Sequence, residues 1–556
     1  MAKTLNKWTV MVHLAGNNNL AEESVFALTE MQKVGSNENM TVVAQLETSV
    51  SKGHQFLIHQ QDGPGRLRED LQPDKAQGAY TRGPKAKVAA TQADRILEFV
   101  RKAIEKGKRG TAKRTQRTRK GSGKGSADSP NQGTASRLML VLSGHGSGTV
   151  GDFLPSDGDS QTNNLTIPTL KKMLGKLKKN ELRGERKIDI LGMDSCLMSM
   201  AEVCFALRAS VSILIGAEGF EPMAGWPYAS ILRDLEQFTR DNEAISDQDL
   251  RELAKKVVSS YVTYYTDYQE ANVSVDQSAC DLGQCRNLAL AVTKLADTLM
   301  QHLQAKDKAS VEEAKGAILL AHWEAQLYKR EQYVDLFDFC NLLKKKHRAN
   351  DVREACQNVL NVITGTEQLS ESERREANYA SPEFQSVKEP FVLMSCYSGW
   401  VVQYSYGVSI YFPWAEIETD LDEYEKLDFP QETRWADFLR VYLNATKRPA
   451  RDEKQIKIEN ALSNSNAQYV GQKSEQVRQE AERTNRFRQP HLIQSGSESA
   501  PNFVLNPGFR NGDNSKNGDN SKALANTIGS MRNPATDFPQ KPPCLKEQTV
   551  ASRKKK

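Results

Sequence analysis

Residues 137–148 read RLMLVLSGHGSG, and residues 187–200 read KIDILGMDSCLMSM. Each opens with an apolar run of strand length and closes in a cluster of turn-forming residues, the pattern of a strand buried on both faces. Between them, residues near 168–179 repeat apolar positions at helical spacing, so strand, helix and strand follow in order. The alternation continues in both directions. Upstream lie WTVMVHLAG (8–16), a helix through Leu20, Val25, Leu28 and Met31, then TVVAQLE (41–47) and FLIH (56–59). A further helix, carrying Val88, Ile96, Val100 and Ile104, is expected to stop at a basic loop. Downstream come a helix near 198–208 and the run VSILIGA (211–217). Near-continuous apolar strands alternating with helices predict an α/β sandwich with a mainly parallel sheet over residues 1 to about 240.

Beyond that point the pattern is mostly helical over 241–446, clearest in LRELAKKVVSSYVTYY (250–265) and NLALAVTKLADTLMQHL (287–303), with one late strand, YGVSIYF (406–412). From 447 to 556 Ser, Asn, Gln and charged residues dominate, and the unit NGDNSK at 511–516 recurs at 517–522. Such a composition cannot bury enough apolar surface to offset chain entropy, and a disordered tail is expected.

The formal net charge of +5 averages unlike parts. The segment 106–124 holds nine Lys or Arg and no acid, and Arg553–Lys556 adds four more, which leaves the rest of the chain at −8. A basic, flexible insertion over 106–137 is the reading, and a uniformly basic nucleic-acid face is not supported. Eight cysteines at irregular positions do not form a disulfide framework and read as reduced thiols in a cytoplasmic protein. No apolar run approaches the roughly 20 residues that span a bilayer, and the N-terminal apolar run lacks the cleavage site of a signal peptide.

Chemistry in an open α/β sheet collects beyond the carboxyl ends of the strands. There the two opening stretches place His145 among glycines and Cys196 at a strand-to-helix turn, where a helix N-terminus would favour the thiolate. A thiol and an imidazole on neighbouring strand tips are the minimum set for nucleophilic acyl transfer. A lone buried cysteine is more often an inert core residue; the pairing at consecutive strand ends turns the reading toward catalysis.

The motifs WTVMVHLAGNNNLAEESVFALTEMQKVGSNENMTVVAQLE, LVLSGHGSG, DILGMDSCLMSMAEV, IGAEGFEPMAGWPY, YVDLFDFCNLL and YGVSIYFPW, in that order, resemble the clostripain family of cysteine peptidases, over roughly 8–445. The resemblance implies a caspase-like α/β/α fold, a His145–Cys196 dyad, and the backbone N–H groups of Gly146 and Cys196 as oxyanion donors. It also implies cleavage after Arg or Lys, with Asp194 as the pocket acid and Trp226 beside it. Members of basic specificity can carry a second acid in the loop before the Gly-Trp pair, where this chain reads PMAGW; Glu218 and Glu221 are either the acids that compensate or simple exposed-loop residues. Calcium enters by the same resemblance, although nothing in the sequence requires a cofactor.

Self-cleavage is a further implication: Lys171, Lys172, Lys176, Lys178, Lys179, Arg183 and Arg186 lie between the two strands, where they read first as the solvated face of a helix and second as cleavage sites, and the basic insertion is a separate candidate. Asp152, Asp157 and Asp159 lack the spacing of a calcium loop, GSGKGS (121–126) lacks the Ser or Thr of a phosphate loop, and Cys280 with Cys285 lacks a second pair at zinc spacing. The expected function is a cysteine endopeptidase acting on protein or peptide substrates, with no membrane and no nucleic-acid partner. The competing expectation is an inactive relative that serves as a scaffold through its basic loop and tail. The sequence leaves the oligomeric state open.

Overall fold

The computed structural model describes residues 7–48, 51–60, 91–119, 136–149, 153–154, 165–184, 186–242, 245–268, 273–328, 332–366, 388–413 and 418–446. Its centre is an eight-stranded sheet, and the strands foreseen from the apolar runs form its middle. In chain order these are β1 (Trp8–Ala15), β2 (Met40–Thr48), β3 (Ser51–Leu57), β4 (Arg137–Ser143), β5 (Ile188–Asp194) and β6 (Val211–Gly216), followed by β7 (Val275–Asp281) and, later, β10 (Val392–Ser398). The order across the sheet is β10-β7-β6-β5-β4-β1-β2-β3. β2, β1, β4, β5 and β6 run parallel, while β3, β7 and β10 pair antiparallel with their neighbours.

Alternate residues of the parallel strands feed two separate cores. Met11, Leu140, Leu142, Leu191 and Leu214 point into one, against α2 (Gln92–Arg119), α3 (Ile167–Asn180), α4 (Ala201–Leu207) and α7 (Cys285–Leu303). Val10, Val12, Val141, Ile190 and Ile213 point into the other, against α1 (Ala21–Gln32), α5 (Tyr228–Asp241) and α6 (Asp247–Thr266). At about 1.5–3 kcal/mol for each fully buried large apolar side chain, this two-sided burial dominates the stability of the fold. It also explains why these strands read as continuous apolar runs and not as alternating ones. The result is the expected α/β/α sandwich.

The sheet does not stop at residue 240. β7 and β10 arise within the stretch that reads as helical and extend the sheet on its β6 side. That stretch also supplies α8 (Lys308–Glu324), α9 (Leu336–Lys346), α10 (Asn350–Thr364), α11 (Glu418–Tyr424), α12 (Asp428–Glu432) and α13 (Trp435–Thr446). Its short strands β8 (Leu327–Tyr328), β9 (Tyr333–Asp335) and β11 (Ser409–Tyr411) form a second, antiparallel sheet in the order β11-β9-β8.

Two expectations are corrected. The helix after β3 does not stop at the basic run: α2 continues through Arg119. Residues 106–119 contain no proline, and Lys, Arg, Gln and Ala are favourable helix formers, so positive charge alone does not end the helix. The thiols are not all free: Cys196, Cys204, Cys280, Cys285, Cys340 and Cys356 are, whereas Cys396 is disulfide-bonded. Val88, the segment 120–135, Asp152, Asp157, Asp159 and the tail beyond 446 lie outside the described residues. No helix among the described residues is long and apolar enough to cross a membrane.

Candidate active site

β4 and β5 are neighbours in the sheet, and their carboxyl ends are tied together by the Gly144 N–H, which donates to the Asp194 carbonyl at 3.0 Å. The two turns that follow therefore meet. A Cβ added at Gly146 would fall 2.1 Å from the Cys196 carbonyl oxygen, so only glycine lets the histidine turn lie against the cysteine turn at this separation. Gly148, with φ of 75°, is similarly required: a Cβ there would strike the Tyr333 ring at 2.4 Å, and the Tyr333 hydroxyl donates to the Ser147 carbonyl at 2.7 Å.

The cysteine turn carries a backbone outlier. Leu197, directly after Cys196, adopts φ of 64°, a left-handed conformation that costs a non-glycine residue on the order of 1–3 kcal/mol. Its N–H donates to the Gly219 carbonyl at 2.9 Å, the Ser199 N–H donates to Ala217, and the Ser199 carbonyl accepts from the Ser409 N–H of β11. The turn is thus held by two bonds to the loop after β6 and one from β11. α4 begins only at Ala201, five residues past the thiol. The expected activation by a helix N-terminus is absent, and burial pushes the Cys196 thiol up to about 12. The Sγ accepts from the Glu221 N–H at 3.3 Å and lies 3.8 Å from the Glu221 carbonyl.

His145 and Cys196 line one cleft together with Asp194, Glu221 and Gly225. Its remaining wall comes from α1 and the residue before it, including Leu20, Glu23 and Ser24. At the back of the cleft Asp194 and Glu221 are both buried. Asp194 accepts from the Tyr228 hydroxyl at 2.7 Å, and Glu221 Oε1 accepts from Trp226 Nε1 at 3.3 Å and Gln277 Nε2 at 3.1 Å. The other Glu221 oxygen is buried without a hydrogen-bond partner. Burial pushes both carboxyls above their ordinary range, and for Glu221 the neighbouring Asp194 adds to the rise. Gly225, with φ of 65°, closes over the pair: a Cβ there would meet Asp194 Oδ1 at 2.9 Å.

Of the residues expected at the site, His145, Cys196, Asp194 and Glu221 are brought together, and Trp226 buttresses Glu221 from behind. Glu218 is elsewhere. It is fully buried, its Oε2 accepts from the Gly407 N–H at 2.6 Å, and its partner acid is Asp335. Two residues, one lining the cleft and one touching its histidine, were not foreseen. Glu23 contributes a carboxyl from α1, raised by burial, with one buried oxygen lacking a partner. Asn19 places its Oδ1 2.6 Å from His145 Nε2. An Asn-Asn-Asn run after a strand reads as a turn, which is what it is, and the contact across to β4 depends on sheet order. Among the described residues no group of three or more His, Cys, Asp or Glu is arranged to hold a metal ion.

The clostripain family profile matches residues 130–442. No curated protein matches the chain. Among solved structures, a secreted C11 cysteine protease from Bacteroides thetaiotaomicron in complex with an irreversible peptide inhibitor is 16% identical at a TM-score of 0.43, with 77% of this chain and 99% of that one covered. An inactive zymogen C11 protease from Parabacteroides distasonis is 16% identical at a TM-score of 0.44, with 78% and 99% covered. With the family profile matched over more than half of its length, this chain belongs to the clostripain family of cysteine peptidases.

Proposed function

We propose that the peptidase is an endopeptidase in which Cys196 is the nucleophile, His145 the general base and acid, and the Asp194–Glu221 pair the element that selects Arg or Lys at the residue before the scissile bond. The observation that carries this reading is the convergence of all four side chains on one cleft.

In the unliganded site the thiol, raised to about 12, is protonated at neutral pH. The first step transfers the Sγ proton to the imidazole of His145, leaving a thiolate and an imidazolium. The thiolate attacks the scissile carbonyl carbon, and the C=O electrons move onto oxygen, which the N–H groups of Gly146 and Cys196 receive. The imidazolium then gives its proton to the leaving amine as the C–N bond breaks. Water, deprotonated by His145, cleaves the resulting thioester and regenerates the thiol.

Two carboxyls side by side and out of water resist full ionisation, because burial raises both and Asp194 adds to the rise at Glu221. A guanidinium or ammonium entering the cleft supplies the missing counter-charge, so a basic side chain gains where an apolar one does not. The same preference makes self-cleavage after basic residues part of the proposal. A peptide bond must be extended to enter such a cleft, which disfavours cleavage within α3, where the Lys171 side chain is engaged with Asp428 and Lys178 with the Ala209 carbonyl.

The test compares wild type and Cys196→Ala on reporter peptides ending in Arg, Lys, Leu and Asn, with reductant present. Turnover of the Arg and Lys peptides that vanishes in the variant is the expected result. Equal turnover of the Leu peptide would remove the role of the carboxyl pair, and activity that survives Cys196→Ala would remove the dyad.

A further inference from the structure

A general base must present one ring nitrogen with its lone pair free, and a freely rotating imidazole on a strand tip spends much of its time in the wrong orientation or tautomer. His145 is only half-buried, on a turn rich in glycine, so the packing around it is a weak restraint. Its ring Nε2 is hydrogen-bonded to the side chain of Asn19, 126 residues earlier in the chain. β1 lies beside β4, with Leu14 opposite Ser143, so the turn that leaves β1 reaches the turn that leaves β4.

We propose that Asn19 is a positioning residue of the catalytic site, acting through His145. This rests on the reading of His145 and Cys196 as the dyad. At 2.6 Å the Nε2–H donates to the Asn19 carbonyl oxygen. That bond selects the tautomer in which Nδ1 carries the lone pair and receives the Cys196 proton. When Nδ1 is protonated, the imidazolium keeps the same bond, now charge-assisted and stronger. A neutral amide stabilises the imidazolium without forming a permanent ion pair, so the proton remains available for the leaving amine.

Asn19 is itself held at the end of its turn. The Leu20 N–H donates to Asn18 Oδ1 at 2.9 Å, and the Leu20 carbonyl accepts from both the Ser24 N–H, at 3.0 Å, and the Ser24 hydroxyl, at 2.8 Å. The amide therefore approaches His145 from the turn that joins β1 to α1. Glu23 of α1 lines the same cleft, and burial raises its carboxyl above the ordinary range.

The experiment measures kcat and KM on an Arg-ending reporter over pH 5–9 for wild type, Asn19→Ala, Asn19→Asp and His145→Ala, with the thermal midpoint of each recorded. Asn19→Ala is expected to lower kcat by about ten- to a hundredfold, a part of what general acid–base catalysis contributes, with KM within about twofold. Asn19→Asp is expected to restore much of kcat and to move the acidic limb of the pH profile upward by roughly one unit, since a carboxylate beside the ring favours the imidazolium. The profile shift distinguishes positioning from a merely structural role, which would change stability or KM and leave the limb in place. If Asn19→Ala unfolds, Asn19→Asp with an unshifted limb overturns the proposal. Asn19→Ala at wild-type kcat also overturns it, and activity that survives His145→Ala would instead remove the dyad on which it rests.

Discussion

Glu218 and Glu221 are three residues apart, both buried, both with one oxygen bonded and one without a partner, and both raised by burial and further by a neighbouring acid. They nevertheless belong to different parts of the molecule. Glu218 pairs with Asp335 in a closed polar core, where Asp276 accepts the N–H groups of Glu218 and Gly219, and Asp335 accepts those of Asp338 and Tyr406. Those carboxyls splice the loop after β6 to β7, α9 and the approach to β11. Glu221 pairs with Asp194 at the back of a cleft open to solvent. Burial and a pKa raised above the ordinary carboxyl range are thus common to both pairs. Access is what separates a scaffold pair from one that can meet a ligand.

The largest expected effect breaks the open pair. Asp194→Asn should lower kcat/KM on Arg and Lys reporters by roughly a hundredfold or more, the scale of about 3 kcal/mol for removing one partner of a buried charge pair, while kcat/KM on a Leu reporter stays within a few-fold. Loss on all reporters alike would mean that Asp194 supports the cysteine turn and not the selection of charge.

A third buried acid sharpens the comparison through pH. Glu202 on α4 accepts from the Tyr411 N–H at 2.9 Å and the Tyr424 hydroxyl at 3.0 Å, and burial raises it to about 7 from 4.5. The folded state holds this proton over a range in which the unfolded chain has lost it. Stability is therefore fully present below about pH 4.5 and declines as pH rises through 7, by about 3 kcal/mol from this group. Glu202→Gln should flatten that decline, measured as unfolding midpoints in denaturant at pH 5, 6, 7 and 8. An unchanged slope would show that the carboxyl is already ionised in the native state.

The smallest effect concerns the closed pair. Glu218→Ala leaves the Gly407 N–H without its acceptor and should cost about 1–3 kcal/mol of stability, with the ratio of Arg to Leu turnover unaltered. A change in that ratio matching that of Asp194→Asn would erase the distinction between the two pairs.

The same contrast governs what could be read from sequence. β1, β4, β5 and β6 are apolar on both faces, and their runs announce them; His145, Cys196 and Asp194 follow at their ends. β7, VDQSACD, does not announce itself, because its buried side chains are polar. Ser278 bonds Ser199 and the Gly407 carbonyl, Asp276 the loop after β6, and Gln277 bonds Glu221. Each of those partners is distant in sequence, so the residues read as a polar, strand-poor stretch until the sheet brings the partners in. Asn19 and Glu23 escaped notice for a related reason. Their local roles, a turn and a helix start, account for them fully, and the cleft they border exists only once β1 and β4 lie side by side.

The hydrogen bond from Ser409 to the Ser199 carbonyl has a consequence in time. The support for the cysteine turn from β11 is encoded 210 residues after the turn itself. At a synthesis rate of about 5–20 residues per second, that support follows the turn out of the ribosome by roughly 10–40 s. During that interval the nascent chain has its thiol and its imidazole but not the strand that fixes their frame. Translation order alone thus delays the appearance of a working peptidase until most of its own fold is in place.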